Sequence, residues 1–233
     1  MLMQMNIFEP DYFKEYRKES LVKTYEDFFK KISSLNNKIY YGYRNIDDYQ
    51  NNFDDTNKSI IEKIIDVQNS FIRDIQKKSQ TGKYVFISHK HHDLNNVLDL
   101  VCFLQDVYHI GAYVDSLDRS QPLITSVETA VRIKDVIRDS HRFIFLATDG
   151  AIRSKWCNWE LGYGDSVKHS RNHLAFWALQ ETSIKQGDFK GNEYMEMYPF
   201  IVRGGGECDS LGYSVRIKDK WNEKYIPLKE WLA

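Results

Sequence analysis

The pattern of apolar and polar positions divides the chain into two parts with different periodicities. In the first eighty residues, apolar side chains recur mostly at three- and four-residue steps, which is typical of amphipathic helices. This spacing predicts one helix over about residues 11–34 and a second over residues 56–79. We expect the two helices to form a hairpin extension, residues 1–80, that packs on the rest of the chain or on a partner.

From residue 82 onward, short continuous apolar runs alternate with stretches of helical spacing. Strand–helix alternation at this spacing implies right-handed crossovers and a doubly wound parallel sheet of the α/β class, which we place in residues 81–233. A long segment, residues 181–225, separates the fourth strand from the end and receives no predicted element. The predicted strands are residues 84–88, 112–115, 143–147 and 174–179, and the predicted helices are residues 95–108, 125–139, 156–168 and 226–232.

Charge and composition exclude several classes of function. The chain has 32 Lys and Arg residues against 33 Asp and Glu residues, so it lacks the basic face that binds nucleic acid and the basic excess that binds anionic membranes. No apolar run approaches the about 18 residues of a membrane-spanning helix, and residues 1–5 do not have the pattern of a secretory signal. Three cysteines in a chain of 233 residues are typical of a reducing compartment. We therefore expect a cytoplasmic protein that binds neither nucleic acid nor membrane.

Polar side chains follow the predicted strands at the edge where open parallel sheets bind ligands. Ser88, His89 and Lys90 follow the first strand, and Asp115 ends the second. The histidines at 89, 91 and 92 have no complementary pair of metal ligands at a matching spacing, so we interpret them as a polar loop and predict no metal site.

Trp156 and Glu160 lie four residues apart on a predicted helix, so both project from one helix face. An indole can stack on a flat base while a carboxylate accepts hydrogen bonds from sugar hydroxyls or stabilises a developing cation. Spacing alone favours a plainer interpretation, in which Trp156 is a core residue and Glu160 is a solvated helix residue. Cys157 has no partner base at a telling spacing, and we interpret it as a packed thiol.

The order of the segments adds a more specific argument. The first strand ends in Phe-Ile-Ser at Ser88, the second ends in an acid before a long loop, and a small residue, Ser140, precedes the third strand. Residues 154–161 then read Ser-Lys-Trp-Cys-Asn-Trp-Glu-Leu. Together these features resemble a bacterial TIR (Toll/interleukin-1 receptor) domain over residues 83–179, with a weaker match at residues 231–232. The resemblance implies a flavodoxin-like fold.

The resemblance also implies an activity. Many bacterial and plant TIR domains cleave NAD at the nicotinamide–ribose bond, and Thoeris-like defence systems contain the NAD-cleaving type. NAD would be the substrate, with no further cofactor, and the product would be ADP-ribose, a cyclised form or a conjugate. The family's catalytic glutamate corresponds to Glu160. The residues expected to line the substrate cleft are Ser88, His89, Lys90, Tyr113, Asp115 and Trp156.

The same resemblance implies self-association through TIR–TIR contacts and a downstream effector protein that senses the product.

Two departures from the family pattern concern the second strand and its loop. Tyr113 stands where the family often has tryptophan, and residues 115–124 contain Pro122 but no glycine.

Other functions fit the sequence as well. The first is a non-catalytic interaction module that signals by self-association. A phosphoacceptor receiver domain shares the fold, but its acid would follow the third strand and it would have an acidic pair after the first. A nucleoside deoxyribosyltransferase-like enzyme also uses a glutamate on this fold.

Overall fold

The computed structural model describes residues 55–114, 127–168, 172–178, 192–204, 206–218 and 222–233. Five isolated positions, 23, 27, 30, 31 and 34, are also described, and each is helical. The rest of the first predicted helix lies outside the described residues, so the structure describes only the second helix of the predicted hairpin. So do Asp115 and the loop that follows it.

The described residues form six helices, seven strands and two short 3₁₀ segments. The helices are α1 (Asp55–Lys78), α2 (Leu94–Tyr108), α3 (Val127–Asp139), α4 (Asp149–Arg153), α5 (Lys155–Lys168) and α6 (Leu228–Leu232). The strands are β1 (Tyr84–Ser88), β2 (Gly111–Val114), β3 (Arg142–Ala147), β4 (Leu174–Ala178), β5 (Phe200–Arg203), β6 (Tyr213–Lys218) and β7 (Glu223–Pro227). The 3₁₀ segments are His91–Asp93 and Glu193–Met197.

All seven strands belong to one sheet, in the order β2-β1-β3-β4-β5-β6-β7. The first five run parallel, and β6 and β7 extend the sheet in antiparallel fashion. The order 2-1-3-4-5 is that of flavodoxin-like folds, so the predicted α/β class is confirmed. Every residue of β1 to β4 is buried, which explains why these strands read as continuous apolar runs.

The predicted helix at residues 226–232 is wrong at its start. Residues 226 and 227 belong to β7, where Ile226 pairs with Val215 and Pro227 with Ser214, and α6 begins only at Leu228. Pro227 has an extended backbone (φ −49°, ψ 133°), and proline is tolerated on an edge strand because it need not donate to a ladder there.

The strands β5, β6 and most of β7 lie in the segment for which the sequence pattern predicts no element. β6 reads Tyr-Ser-Val-Arg-Ile-Lys, and its exposure increases toward Lys218. Its apolar residues alternate with polar ones because it lies near an edge of the sheet, whereas our strand predictions rest on continuous apolar runs.

The second helix of the predicted hairpin packs on β2 and shares the main core. Phe71, Ile72 and Ile75 of α1 are buried, and the Phe71 ring lies 6.4 Å from that of Tyr113 on β2. A Cβ at Gly111 would lie 2.5 Å from the carbonyl oxygen of Ile75, so only glycine allows this approach of helix and strand. The division at residue 80 stays a prediction.

Candidate functional site

The site is built around a carboxylate that is almost fully buried at the carboxyl edge of the sheet. Glu160 lies on α5 and is 2% exposed, and Ser88 is the last residue of β1. The Ser88 hydroxyl donates a hydrogen bond of 2.7 Å to Oε2 of Glu160. Two residues that are 72 positions apart in sequence are thereby joined at the edge where open sheets bind ligands.

The other carboxylate oxygen accepts from the helix itself. Nε1 of Trp156 donates to Oε1 of Glu160 at 2.9 Å, and the Trp156 ring lies 4.7 Å from that of Trp159. The expectation that Trp156 and Glu160 share a helix face is therefore confirmed. The plainer interpretation, with Glu160 as a solvated residue, is wrong, because the carboxylate is buried and accepts two hydrogen bonds.

Ser154 and Asn158, two residues of the segment 154–161, set where α5 begins. Ser154 has an extended backbone (φ −75°, ψ 118°) that separates α4 from α5, and its Oγ accepts from the backbone N–H of Cys157 at 3.4 Å. The Asn158 amide donates to the carbonyl oxygens of Ile152 at 2.6 Å and Ser154 at 2.8 Å. These bonds satisfy backbone acceptors at the turn and fix the position of the first turn of α5, which carries Trp156.

A second polar contact lies beside the first at the carboxyl edge of the sheet. Thr148 caps α4 by accepting from the N–H of Ala151 at 3.0 Å, and it donates to Oδ2 of Asp93 at 2.6 Å. Burial raises the pKa of Asp93 above its ordinary value, and the hydrogen bond from Thr148 partly offsets that effect. The sequence analysis missed this contact between Asp93 and Thr148.

His89 and Lys90 follow Ser88 directly. His89 is buried, with Nδ1 3.3 Å from the carbonyl oxygen of Ile87, and its own carbonyl oxygen accepts from the Cys157 thiol at 3.3 Å. Cys157 is thus a packed thiol, as the sequence indicates. The Lys90 stem runs along Gly150, where a Cβ would lie 3.2 Å from Cγ of Lys90.

Tyr113 lies deeper in the core. It is fully buried, its ring stacks on Phe86 at 5.8 Å, and it contacts Phe71 from α1. The described contacts give it a packing role, and its part in substrate binding stays a prediction. The structure therefore brings Ser88, Trp156 and Glu160 together, and Asp115 lies outside the described residues.

The family model of the TIR domain matches residues 85–198, a range that holds Ser88, Trp156 and Glu160. Residues 85–198 are a TIR domain. The match ends past residue 179, the limit of the resemblance in the sequence, and it includes the 3₁₀ segment Glu193–Met197. No curated protein matches the sequence.

Elements on both sides of the TIR domain complete the fold. α1 precedes it, and β5, β6, β7 and α6 follow it, with α1 buried against the same core. None of the helices in the described ranges combines the length and hydropathy needed to cross a bilayer. Within those ranges, no three His, Cys, Asp or Glu side chains lie close enough together to hold a metal ion.

Proposed function

We propose that the TIR domain cleaves NAD at its nicotinamide–ribose bond, with Glu160 as the catalytic carboxylate. The product would be an ADP-ribose-derived signal, or the reaction would deplete NAD, in bacterial antiviral defence. The observation that carries this proposal is the buried Glu160 carboxylate, held by Ser88 and Trp156 at the carboxyl edge of a parallel sheet.

The chemistry requires one carboxylate. When the bond between the ribose carbon and the nicotinamide nitrogen breaks, its electron pair neutralises the pyridinium nitrogen, so the leaving group needs no proton. Glycosidases that expel an alkoxide need a second carboxylic acid for that step. The remaining requirement is to stabilise the positive charge that develops on the ribose, and a preorganised carboxylate does this electrostatically.

The two hydrogen bonds to Glu160 leave it able to act. An ionised carboxylate has about four acceptor sites, so each oxygen can accept a ribose hydroxyl in addition to its present donor. Because Glu160 is 2% exposed, its charge is weakly screened by water, and its effect on a nearby cation is correspondingly larger.

The same burial means that substrate reaches Glu160 only after neighbouring side chains move. We expect this closed arrangement to open on assembly with a second copy, in keeping with the self-association that the TIR resemblance implies. Whether water or another acceptor then takes the ribosyl group depends on how the opened site excludes water.

The test is nicotinamide release from NAD by the full chain and by Glu160→Gln. Glutamine can keep both hydrogen bonds, because its carbonyl accepts from Trp156 and its amide donates to the Ser88 oxygen, so folding is expected to persist. Loss of the charge should lower the rate by at least about a hundredfold. Glu62→Gln, a matched change at an exposed position on α1, should leave it unchanged.

Equal rates for the wild type and Glu160→Gln would exclude the catalytic role. Mass spectrometry of the products would identify ADP-ribose, a cyclised form or a conjugate.

A second function, an interaction module without catalysis, is favoured by exposed apolar side chains. Val131 on α3 and Tyr194 and Met197 on the second 3₁₀ segment are 53%, 46% and 52% exposed. Absence of nicotinamide release from the wild type under conditions where it self-associates would support this function instead.

A further inference from the structure

A cavity of about 350 Å³ opens at the amino edge of the sheet, on the side away from Glu160. It lies beside the first residue of β1, Tyr84, whereas Ser88 at the other end of the strand contacts Glu160. Four residues of extended strand separate the two places by about 13 Å. The residues that line it are Gln76, Gly82, Lys83, Tyr84, Arg138, Asp139, Ser140, His141, Lys168 and His173.

The charged residues in this lining are mainly basic. Arg138 forms ion pairs with Asp135 at 2.9 Å and with Asp139 at 3.3 Å, so the positive charge of the lining comes from Lys83 and Lys168. Part of that charge is used by the protein itself: the Lys168 ammonium donates to the backbone carbonyls of Arg138, at 2.8 Å, and of Ser140, and Lys83 donates to the carbonyl of Ala233. The carbonyls of Arg138 and Ser140, at and just past the end of α3, carry only partial negative charge, so they do not cancel the charge of the Lys168 ammonium.

His141 provides a second, independent observation. Nη1 of Arg142 lies 3.4 Å from Nδ1 of His141, and a guanidinium can only donate, so Nδ1 is the accepting nitrogen. The proton of the neutral imidazole is therefore on Nε2. That atom is buried and has no hydrogen-bond partner among the residues that the structure describes. His141 lines the cavity, so an acceptor bound there would satisfy this donor once the imidazole turns toward it.

The charged groups around His141 are cations, so they attract an anion to this place. Burial, then Arg142, Lys83, His173 and Lys168, lower the pKa of His141 to about 4, so the ring is neutral at pH 7. The His173 ring lies 5.9 Å from it. An acceptor-only group with negative charge meets both needs, since it accepts from Nε2 and neutralises the surrounding cations.

We propose that this cavity binds the phosphate group of a small molecule, with the imidazole of His141 and the ammonium groups of Lys83 and Lys168 as its donors. A phosphate group has the required oxygens and charge. The cavity also has room for several waters around it, because a water occupies about 30 Å³. The site is separate from Glu160 and does not depend on the proposed NAD cleavage.

The experiment is a titration of the full chain, with imidazole ¹⁵N resonances as the readout. Inorganic phosphate and AMP are the probes, and sodium chloride or sodium acetate at equal ionic strength is the control. We expect the His141 and His173 resonances to shift saturably with phosphate. The resonance of His109, which is exposed at the end of α2, should not move. Tighter binding of AMP than of inorganic phosphate would identify a nucleotide as the source of the group.

Two variants locate the site. His141→Gln and Lys83→Gln should each weaken phosphate binding by about tenfold or more, the loss of one charge-assisted hydrogen bond. Glu160→Gln should bind phosphate as the wild type does, which separates this site from the catalytic proposal. If chloride produces the same shifts, or if phosphate binding is unchanged in Lys83→Gln and His141→Gln, the proposal is wrong.

Discussion

Gly164 lies so close to Phe143 that a Cβ at this position would be 3.0 Å from two carbons of the phenyl ring. Gly164 is one helical turn beyond Glu160 on α5, and Phe143 lies in β3, beside β1. The absence of a side chain therefore lets α5 approach the sheet, and this approach brings Glu160 within hydrogen-bond distance of Ser88.

Gly164→Ala should destabilise the protein and lower NAD cleavage. Phe143 is fully buried and cannot retreat, so the added methyl group should cost about 1–3 kcal/mol in the free energy of unfolding. Gly162→Ala is the matched control, because this glycine is exposed on the same helix and a methyl group added there would meet no atom within 4 Å. It should gain about 0.5–1 kcal/mol. Urea unfolding measures both changes, and equal stability of the two variants would contradict the packing argument.

Ser88→Ala should lower kcat for nicotinamide release about tenfold to a hundredfold, because it removes a hydrogen bond worth about 1.5–3 kcal/mol to a charged group. Ser166→Ala removes a hydroxyl that donates to the carbonyl of Tyr163 on the same helix, away from Glu160, and should leave kcat unchanged. Steady-state kinetics with NAD measures kcat and KM separately. An unchanged kcat in Ser88→Ala would show that this hydrogen bond does not position the carboxylate.

Four of the five parallel strands, β1 to β4, were predictable because every residue in them is buried. Residues 84–87, for example, form a short apolar run between Gly82 and polar residues, which is typical of a buried strand, and the structure places them in β1. The fifth, β5, was missed, although its residues 200–202 form a short apolar run. The antiparallel end was not predictable in this way. In β6, Ser214 and Arg216 interrupt the apolar residues, so the segment has no continuous apolar run, although its partners β5 and β7 are its neighbours in sequence.

The site was predictable only in part. The four-residue spacing of Trp156 and Glu160 indicates a shared helix face, which the structure confirms. Spacing alone could not show that Glu160 is buried, because burial depends on the tertiary approach of α5 to the sheet. The hydrogen bonds of Asn158 were also missed, since they arise from the turn geometry between α4 and α5.

Trp156→Phe keeps an aromatic ring but removes the Nε1–H that donates to Glu160. We expect nicotinamide release to fall about tenfold, the loss of one hydrogen bond to a charged group. Trp159→Phe is the control, because it changes the ring that contacts Trp156 and leaves the donor to the carboxylate in place. A larger loss of activity in Trp159→Phe than in Trp156→Phe would indicate that ring packing, and not the hydrogen bond, is what matters.

Stability should depend on pH through His141. Its pKa is lowered from 6.5 to about 4 in the folded protein, by burial and by the cations Arg142, Lys83 and Lys168 together with His173. Below pH 6.5 the unfolded chain binds a proton at this residue and the folded chain does not, so protonation favours unfolding. The stabilisation is complete above pH 6.5 and is lost as the pH falls toward 4.

His141→Gln should remove this dependence, since glutamine does not titrate in this range. Urea unfolding between pH 7 and pH 4.5 should show a smaller decrease in the free energy of unfolding for His141→Gln than for the wild type. His109→Asn is the matched control at an exposed histidine with φ 55°, a backbone conformation that asparagine tolerates, and its profile should follow the wild type. Parallel profiles for the wild type and His141→Gln would mean that the cations around the cavity do not act on this ring, and would also weaken the argument for an anion site there.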